Sequence, residues 1–344
     1  MEIRLPTYYN TFRCIAAACP DSCCKEWTVD VDDTSAAFYR SLTGDLGDRL
    51  RSVLKDTKDG TVMIIENGRC PMWRQDGLCR IQAELGHDTL CKTCREFPRL
   101  RHDYGDFVEL GLELSCPEAA RLIFTTNGDM QVQITDGGES PEYDTEVMAT
   151  LLKSRENVLA LLEDARYSLP QALAILLLYT HDVQEQIDGG EVVSFEPEAL
   201  LKEAKKHPAT GDIKCIISFF QGLEILTEEW SSRLMQADLV VSWSDALRVL
   251  ARYLVNRYWL QAISDFDLIC RAKLIVTACI LVGVLGGDVV QTAQLFSKEI
   301  ENDPDNLDAI LDGAYTSPAL TDINLLGLLI SSKELILCKS KSYN

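Results

Sequence analysis

The segment SDALRVLARYLVNRY, residues 244–258, decides how the second half of the chain is interpreted. Its apolar residues recur at the i, i+3, i+4 and i+7 spacing of one helix face, and they are Leu247, Leu250, Ala251, Leu254, Val255 and Tyr258. Ser244 stands where a helix N-cap residue is expected. The segment therefore predicts an amphipathic helix that packs its apolar face on a core.

The same helical pattern extends outward over most of residues 143–344. Further helices are predicted over Thr145–Ala165, Pro170–Ile187, Ile213–Glu229, Asp267–Leu285 and Asp288–Ile300. The longest apolar run, Leu274–Leu285, is much shorter than the roughly 20 residues that a membrane span needs. The glycines Gly283, Gly286 and Gly287 at its end are interpreted as a helix terminus. We expect an α-helical bundle over residues 143–344 and no membrane association.

The first 126 residues instead predict short helices and strands between the cysteines. The sequence predicts the start of a helix over Asp30–Tyr39, with Asp33 or Thr34 as its N-cap. It predicts strands over Thr61–Glu66, before a turn at Asn67-Gly68, and over residues 106–115 and Met130–Thr135. The expected fold class is mainly α, with a Cys-rich metal-binding region containing short strands over residues 1–126, followed by the helical domain over residues 143–344.

Nine of the chain's thirteen cysteines fall within residues 1–116. They are Cys14, Cys19, Cys23 and Cys24, then Cys70, Cys79, Cys91 and Cys94, and finally Cys116. No apolar signal-peptide segment accompanies them, so we expect a cytoplasmic protein, in which disulfides are rare. Thiolates in a reducing compartment favour a metal, with an iron–sulfur cluster preferred and zinc as the alternative. Of the adjacent pair Cys23 and Cys24, one could pack in the core, or the two could serve different centres.

The charge balance bears on the class of partner. The chain has 33 Lys and Arg against 53 Asp and Glu, a formal net charge of -20. Nucleic-acid binding needs cations that neutralise phosphates, so this balance argues against it. A cationic protein partner suits the charge better, although acidity can also serve solubility alone.

The cysteines and their neighbours resemble those of the flagellin lysine-N-methylase family. The similarity is carried by Phe12, Cys14, Cys19, Cys23-Cys24, Trp27, Cys70-Pro71, Asp76-Gly77-Leu78-Cys79, Leu85-Gly86, Leu90, Cys94-Arg95-Glu96-Phe97-Pro98-Arg99 and Ser115-Cys116-Pro117-Glu118. The N-terminal third also resembles a broader family of Cys-rich domains described as zinc- or iron-chelating. Because the family often lacks a cysteine at the position of Cys91, the expected metal ligands are Cys14, Cys19, Cys23, Cys24, Cys70, Cys79, Cys94 and Cys116.

The resemblance implies a protein-lysine N-methyltransferase that acts on flagellin with S-adenosylmethionine as methyl donor. The target amine must lose a proton, and the candidates for the accepting group are Tyr8, Tyr9, Tyr104, Glu109 and Glu113. Arg95 and Arg99, with Arg101 nearby, could bind the carboxylate of S-adenosylmethionine or balance thiolate charge. Each of these side chains also has an ordinary structural interpretation.

A second hypothesis is a non-enzymatic iron- or zinc-binding module whose helical domain docks a partner. Four further cysteines in apolar helical contexts are expected to be buried hydrophobic residues: Cys215, Cys270, Cys279 and Cys338. His87 and His102 are expected on the surface rather than on a metal.

Overall fold

Helices make up most of the structure. The computed structural model describes residues 1–24, 29–58, 60–137 and 140–330. Within these ranges the chain is mainly α, as predicted, with fifteen α-helices and seven β-strands. Trp27 and Cys338, which were part of the sequence predictions, lie outside the described residues.

The elements are numbered along the chain. The helices are α1 Asp33–Ser41, α2 Gly44–Val53, α3 Arg80–Leu85, α4 Lys92–Glu96, α5 Pro117–Thr125, α6 Thr145–Glu163, α7 Leu169–Ile187, α8 Pro197–Ala204, α9 Ile213–Gln221, α10 Glu228–Met235, α11 Asp245–Tyr258, α12 Ile269–Leu285, α13 Val289–Phe296, α14 Pro304–Thr316 and α15 Asp322–Ile330. The strands are β1 Glu2–Pro6, β2 Val29–Val31, β3 Leu54–Thr57, β4 Gly60–Met63, β5 Arg99–Asp103, β6 Phe107–Leu112 and β7 Met130–Ile134.

A four-stranded sheet of order β5-β6-β1-β7 carries the N-terminus. Strand β1 runs parallel to β6, with Ile3 opposite Val108, and antiparallel to β7. Leu5 and Val108 are buried, whereas β7 is exposed along its length and forms one edge of the sheet. Phe107 and Leu112 of β6 belong to the same hydrophobic core as the long helices, so the sheet packs directly on the helical part.

Residues 29–97, here called the cysteine lobe, are inserted between β1 and β5 of that sheet. The lobe has a three-stranded antiparallel sheet, β2-β4-β3, together with helices α1 to α4. It has a hydrophobic core of its own, which includes Tyr39, Leu50, Met63 and Met72. The Tyr39 hydroxyl donates a hydrogen bond to the Thr89 carbonyl at 2.8 Å and ties α1 to the segment before α4.

The two hydrophobic cores do not follow the order of the chain. Phe12, Leu112 and Leu114, all before residue 126, pack with the helices of the second half. The main core thus contains side chains from both predicted domains, residues 1–126 and 143–344. The boundary between these domains stays a prediction.

Helix α12 forms the centre of the helical part. Every residue from Cys270 to Leu285 is buried, and α12 contacts α7, α11 and α14. Its two buried cations have partners. Arg271 lies 2.9 Å from the Asp265 carboxylate, and Lys273 Nζ donates to the Ala314 carbonyl at 2.8 Å. In the described ranges we find no helix whose length and apolar character would suit a membrane span.

Most of the predicted helices of the second half are confirmed, namely α6, α7, α11, α12 and α13. The single helix predicted over Ile213–Glu229 was wrong, because α9 ends at Gln221 and a new helix, α10, begins at Glu228. Helix α9 ends with Gly222 as its C-cap residue, and the apolar pattern did not indicate this helix end. Ser244 is the N-cap residue of α11, as predicted, although its side chain makes no capping hydrogen bond.

The predictions for the N-terminal region were less accurate. The helix expected from Asp30 was wrong at its start, because Val29–Val31 forms β2. Its N-cap is Asp32 rather than Asp33 or Thr34, and the Asp32 carboxylate accepts from the Ser35 N–H at 3.0 Å. The three predicted strands are confirmed in shorter form as β4, β6 and β7.

The glycines after α12 end that helix, as predicted. Gly286 is its C-cap residue and has a φ of +66°, a conformation that only glycine adopts without steric cost. The apolar run before them is helix α12, whereas a nucleotide-binding glycine turn follows a strand.

Gly327 lies where α15 crosses the loop before α9. A Cβ at this position would come within 2.4 Å of the Gly211 nitrogen and 2.9 Å of its Cα. Gly327→Ala should therefore lower the free energy of unfolding by about 1–3 kcal/mol in urea titrations, since backbone must move. Gly111→Ala is the matched control, because its Cβ would contact only the Leu100 side chain at 3.7 Å. Equal destabilisation by both changes would contradict this prediction.

Candidate functional site

A cavity of about 740 Å³ lies between the cysteine lobe, the N-terminal loop and the helical part, and is here called the thiol cavity. All nine cysteines of the first 116 residues line it: Cys14, Cys19, Cys23, Cys24, Cys70, Cys79, Cys91, Cys94 and Cys116. The eight predicted ligands thus meet at one place, together with Cys91, which the prediction left out. The volume is that of a small-molecule or cofactor site.

Three of these cysteines stand at helix N-caps. Cys79 precedes α3, Cys91 precedes α4 and Cys116 precedes α5. Backbone N–H groups two and three residues further on lie near the sulfur atoms of Cys79 and Cys116 and lower their pKa, although neither sulfur accepts a capping hydrogen bond. Burial nevertheless raises the pKa of Cys116 to about 11. The local backbone is therefore arranged to stabilise a thiolate that burial alone would keep protonated.

The first cysteines lie on an irregular loop after β1. Phe12, only 2% exposed, anchors this loop in the main core. The Cys14 sulfur accepts from the Ala16 N–H at 3.4 Å, and Ala16 has a φ of +48°, which is uncommon for a residue with a Cβ. The Cys19 thiol donates to the Asp21 carbonyl at 3.2 Å. Backbone contacts thus hold the loop cysteines in place.

Two pairs of cysteines share a hydrogen bond between their sulfur atoms. The Cys23 thiol donates to Cys24, which lowers the pKa of Cys24 to about 7 and raises that of Cys23. The Cys94 thiol donates to Cys91, which lowers the pKa of Cys91 and raises that of Cys94. Each pair loses one proton readily and keeps the second, so a second thiolate requires a nearby cation.

Burial keeps the other lobe cysteines neutral in the absence of a cation. Cys70 is 7% exposed, and burial raises its pKa to about 12. Burial likewise raises the pKa of Cys79. A coordinated metal deprotonates thiols outright, so the thiol cavity suits a cationic group that prefers sulfur ligands.

The lining cysteines do not form a ready-made site for one metal ion. In the part of the chain that the structure describes, no three His, Cys, Asp or Glu side chains are arranged to hold a single metal ion. A structural zinc site gathers four ligands around one ion at about 2.0–2.3 Å. In a four-iron cluster each iron takes its own thiolate, so the ligands stand further apart.

Two carboxylates of the cavity wall share one arginine. Glu301 is buried, lies 3.1 Å from Arg257 Nε and accepts a hydrogen bond from the Tyr258 hydroxyl at 2.8 Å. A Glu113 oxygen lies 3.8 Å from the same guanidinium, and the Ser115 hydroxyl donates to the other oxygen at 3.3 Å. Burial raises the pKa of Glu113. Because two carboxylates face one guanidinium, this wall offers a place for a second cation, such as a lysine ammonium.

Glu113 is the one predicted proton acceptor among the described residues of the cavity wall. Glu109 is buried in β6, where its two oxygens accept from Arg155 of α6 at 2.8 and 2.6 Å. Tyr104 stacks on Phe107 with ring centroids 4.7 Å apart. Tyr8 and Tyr9 pack against the main core. None of these four side chains lines the thiol cavity.

The three predicted arginines differ in position. Arg99 lines the cavity, with its guanidinium carbon 5.2 Å from the centre of the Phe12 ring. Arg95 donates to a backbone carbonyl at 3.4 Å, and Arg101 pairs with Asp103 on the surface at 2.6 Å. Arg99 is therefore the arginine of this group best placed to meet a ligand carboxylate.

The remaining sequence predictions concern two histidines and the cysteines after residue 116. His87 is exposed, as predicted, and lies at the edge of the cavity. The prediction of an exposed His102 was wrong, since it is partly buried in β5 and burial lowers its pKa. Cys270 and Cys279 are buried in α12, as predicted. Cys215 is only partly buried, because it lies on the first turn of α9 beside Asp212.

Several wall residues come from the second half and were missed by sequence reasoning. Lys298 and Glu301 lie on a π-helical turn, Ser297–Glu301, that continues α13. Lys298 Nζ lies 3.4 Å from the Asp21 carboxylate, and so joins this turn to the cysteine loop. A single sequence carries no signal that would pair position 21 with position 298.

Fold and site together define a mainly α protein built around a thiol-lined cavity. The chain belongs to the flagellin lysine-N-methylase family. It is similar to the flagellar biosynthetic protein FliU of Salmonella muenchen, with 31% identity over 131 residues, which cover 34% of this chain and 74% of FliU.

Two proteins named lysine-N-methylase, from Salmonella typhimurium and Salmonella choleraesuis, are also 31% identical over 131 residues. The match covers 31% of each of these proteins, so the chain spans about a third of their length. No family model matches the chain, and no solved structure matches it.

Proposed function

We propose that this protein is a protein-lysine N-methyltransferase that acts on flagellin, with S-adenosylmethionine as methyl donor and an iron–sulfur cluster held by the thiol cavity. The observation that carries the proposal is the single cavity lined by nine cysteines. The family supplies the reaction, because two relatives are named lysine-N-methylase and a third is named for flagellar biosynthesis.

The donor set fits an iron–sulfur cluster. Its ligands would come from the eight cysteines predicted from the sequence and from Cys91, all of which line the cavity. A backbone N–H donates to the Cys14 sulfur, and others lie near the sulfur atoms of Cys79 and Cys116, a feature that tunes clusters of this kind. Zinc, which also takes thiolate ligands, is the alternative. When bound, the metal would neutralise thiolate charge and fix the loops that surround it.

The reaction that we propose is an in-line displacement. The bond between the methyl carbon and the sulfonium sulfur breaks as the lysine nitrogen forms its bond to that carbon, and S-adenosylhomocysteine leaves. The ammonium of an unperturbed lysine has a pKa near about 10.4, so a proton must first be removed. The site must therefore align donor and amine at near-attack distance and provide a proton acceptor.

Two residues of the cavity wall suit these tasks. Glu113 would receive the ammonium and accept its proton, because it lines the cavity. It shares Arg257 with Glu301, so one guanidinium faces two carboxylates and part of their negative charge stays uncompensated. Arg99 would bind the carboxylate of the methyl donor, since a guanidinium matches its geometry. The net charge of -20 would favour approach of a lysine-bearing surface.

Protein purified without oxygen should methylate flagellin. With S-adenosylmethionine present, mass spectra of flagellin should show added methyl groups on lysine, and the donor should raise the melting temperature of the protein in a saturable manner. Cys215→Ser, which alters a cysteine outside the cavity, should behave like the wild type. If metal-loaded protein gives neither the mass change nor the thermal shift, the chain is a metal-binding module and the proposal is wrong.

A further inference from the structure

We infer that the free edge of strand β7 binds an extended, lysine-bearing segment of the protein substrate, which joins the four-stranded sheet as a further strand. The inference rests on the proposed function for the identity of that substrate, flagellin. Strand β7, Met130–Ile134, lies at an edge of the sheet, and β1 is its one strand partner among the described residues. An edge strand presents a row of unpaired backbone N–H and C=O groups with which another chain can pair.

The register with β1 decides which backbone groups of β7 face outward. The Thr7 N–H donates to the Asp129 carbonyl at 3.0 Å, and the Thr135 N–H donates to the Met1 carbonyl at 2.9 Å. Because hydrogen-bonded and non-hydrogen-bonded pairs alternate along an antiparallel ladder, the odd-numbered residues of β7 bond to β1. Three residues therefore turn their N–H and C=O groups toward the open edge: Met130, Val132 and Ile134.

The side chains of β7 do not protect this edge from pairing. Its sequence, MQVQI, contains neither a charged residue nor a proline, the residues that usually protect an edge strand. Val132 is 58% exposed and Ile134 is 77% exposed, so apolar surface also stays uncovered. The opposite edge strand, β5, has the sequence RLRHD, in which arginines and an aspartate supply that protection. One edge of the sheet is thus closed by charge, and the other is open to a further strand.

Charge at the ends of β7 favours a cationic segment over a second copy of this chain. Asp129 before the strand and Asp136 after it are both exposed. If two copies of β7 overlapped fully about a two-fold axis, these acids of one copy would lie beside those of the other at both ends, and like charges on paired strands are destabilising. The net charge of -20 adds to the repulsion between copies. A lysine-bearing segment is instead attracted to the same carboxylates.

The sheet also places the added strand near the thiol cavity. Strand β7 begins opposite Pro6, the last residue of β1, and β5 begins opposite Leu112, the last residue of β6, which runs parallel to β1. These four strand ends lie at one end of the sheet, where Arg99 and Glu113 line the cavity. Three strand spacings, about 14 Å, separate an added strand from β6. About four extended residues span that distance, so a lysine shortly beyond the added strand can reach the cavity.

Binding of purified flagellin monomers to the full chain, measured by fluorescence anisotropy, tests this inference. Val132→Pro removes one outward N–H and none that bonds to β1, so the sheet should stay intact while the Kd for flagellin rises about ten-fold or more. Arg101→Pro is the matched control, because it places proline at an outward N–H of the opposite edge strand and should bind flagellin like the wild type. In the wild type, hydrogen exchange at the Val132 and Ile134 amides should slow when flagellin is added.

Other results would overturn the inference. An unchanged Kd for Val132→Pro, or unchanged exchange at the two amides, would show that flagellin does not pair with this edge. Val132→Thr keeps the N–H, so an equal loss of binding in both variants would indicate side-chain contact instead of strand pairing. A wild-type dimer in sedimentation that Val132→Pro dissociates would assign the edge to a second copy.

Circular dichroism shows whether each variant is folded, and the exchange measurement decides the question on the wild type alone. Because binding needs no methyl donor, flagellin bound at this edge without methyl transfer would sink only the proposed function. Methyl transfer that Val132→Pro leaves unchanged would sink only this inference.

Discussion

Glu113→Gln should lower the rate of methyl transfer to flagellin by about 10²–10⁴-fold, the usual contribution of a positioned acid–base group. Glutamine keeps the size of the side chain, with its oxygen able to face Arg257 and its NH2 able to donate to the Ser115 hydroxyl, but it can neither attract an ammonium nor accept its proton. Single-turnover assays that count methylated lysines by mass spectrometry would measure the effect.

The iron content of Glu113→Gln should stay at the wild-type level, which separates loss of a reactive group from loss of the metal. Glu156→Gln, at an exposed position of α6, is the control that removes one negative charge far from the cavity. Glu113→Asp should recover part of the rate. A rate for Glu113→Gln within a few fold of the wild type would show that another group takes the proton.

Arg155→Met should lower the free energy of unfolding by about 3–5 kcal/mol, the cost of leaving one member of a buried ion pair alone. Arg155 is 8% exposed and Glu109 is 5% exposed, and their double hydrogen bond joins β6 to α6. Without Arg155, Arg4 at 3.8 Å would be the one charged partner left to the Glu109 carboxylate among the described residues. Urea denaturation followed by circular dichroism measures the change.

Lys153→Met is the matched control for that change. Lys153 lies on the same helix and pairs with Glu156, but both side chains are 72% exposed, so the expected loss is about 0–1 kcal/mol. The double variant Glu109→Leu, Arg155→Met should be more stable than Arg155→Met alone, since no buried charge is left unpaired. If Arg155→Met and the double variant lowered the free energy of unfolding equally, lost packing rather than an unpaired charge would explain the loss of stability.

The cysteines were expected to bind a metal because a thiol-rich segment has few other uses in a reducing compartment, and metal binding stays a prediction. The long helices were also predictable, since their apolar faces repeat over many residues within one segment, as in residues 245–258. The eight cysteines expected as ligands do line one cavity. Which of these cysteines pack against the same core did not follow from their spacing, because they pack against two separate hydrophobic cores.

The missed features depend on contacts between distant parts of the chain. Strand β1 has only five residues, two of them charged and the last a proline, and it is stabilised by partners more than 100 residues away. Glu301 reaches the cavity through the packing of α13 against α5. Local periodicity carries no information about such contacts, so sequence reasoning found the acid at Glu113 but not its neighbour at Glu301.

The insertion of the cysteine lobe between β1 and β5 sets an order for biosynthesis. The lobe strands β2, β3 and β4 need nothing beyond Met63 to pair, whereas β1 must wait for β6 and β7 at residues 107–134. During translation the segments made first also fold first. The nascent chain therefore passes through a stage in which the cysteine lobe has folded while Cys116 has not yet left the ribosome. The four-stranded sheet that anchors the N-terminal loop is completed only when synthesis has passed β7.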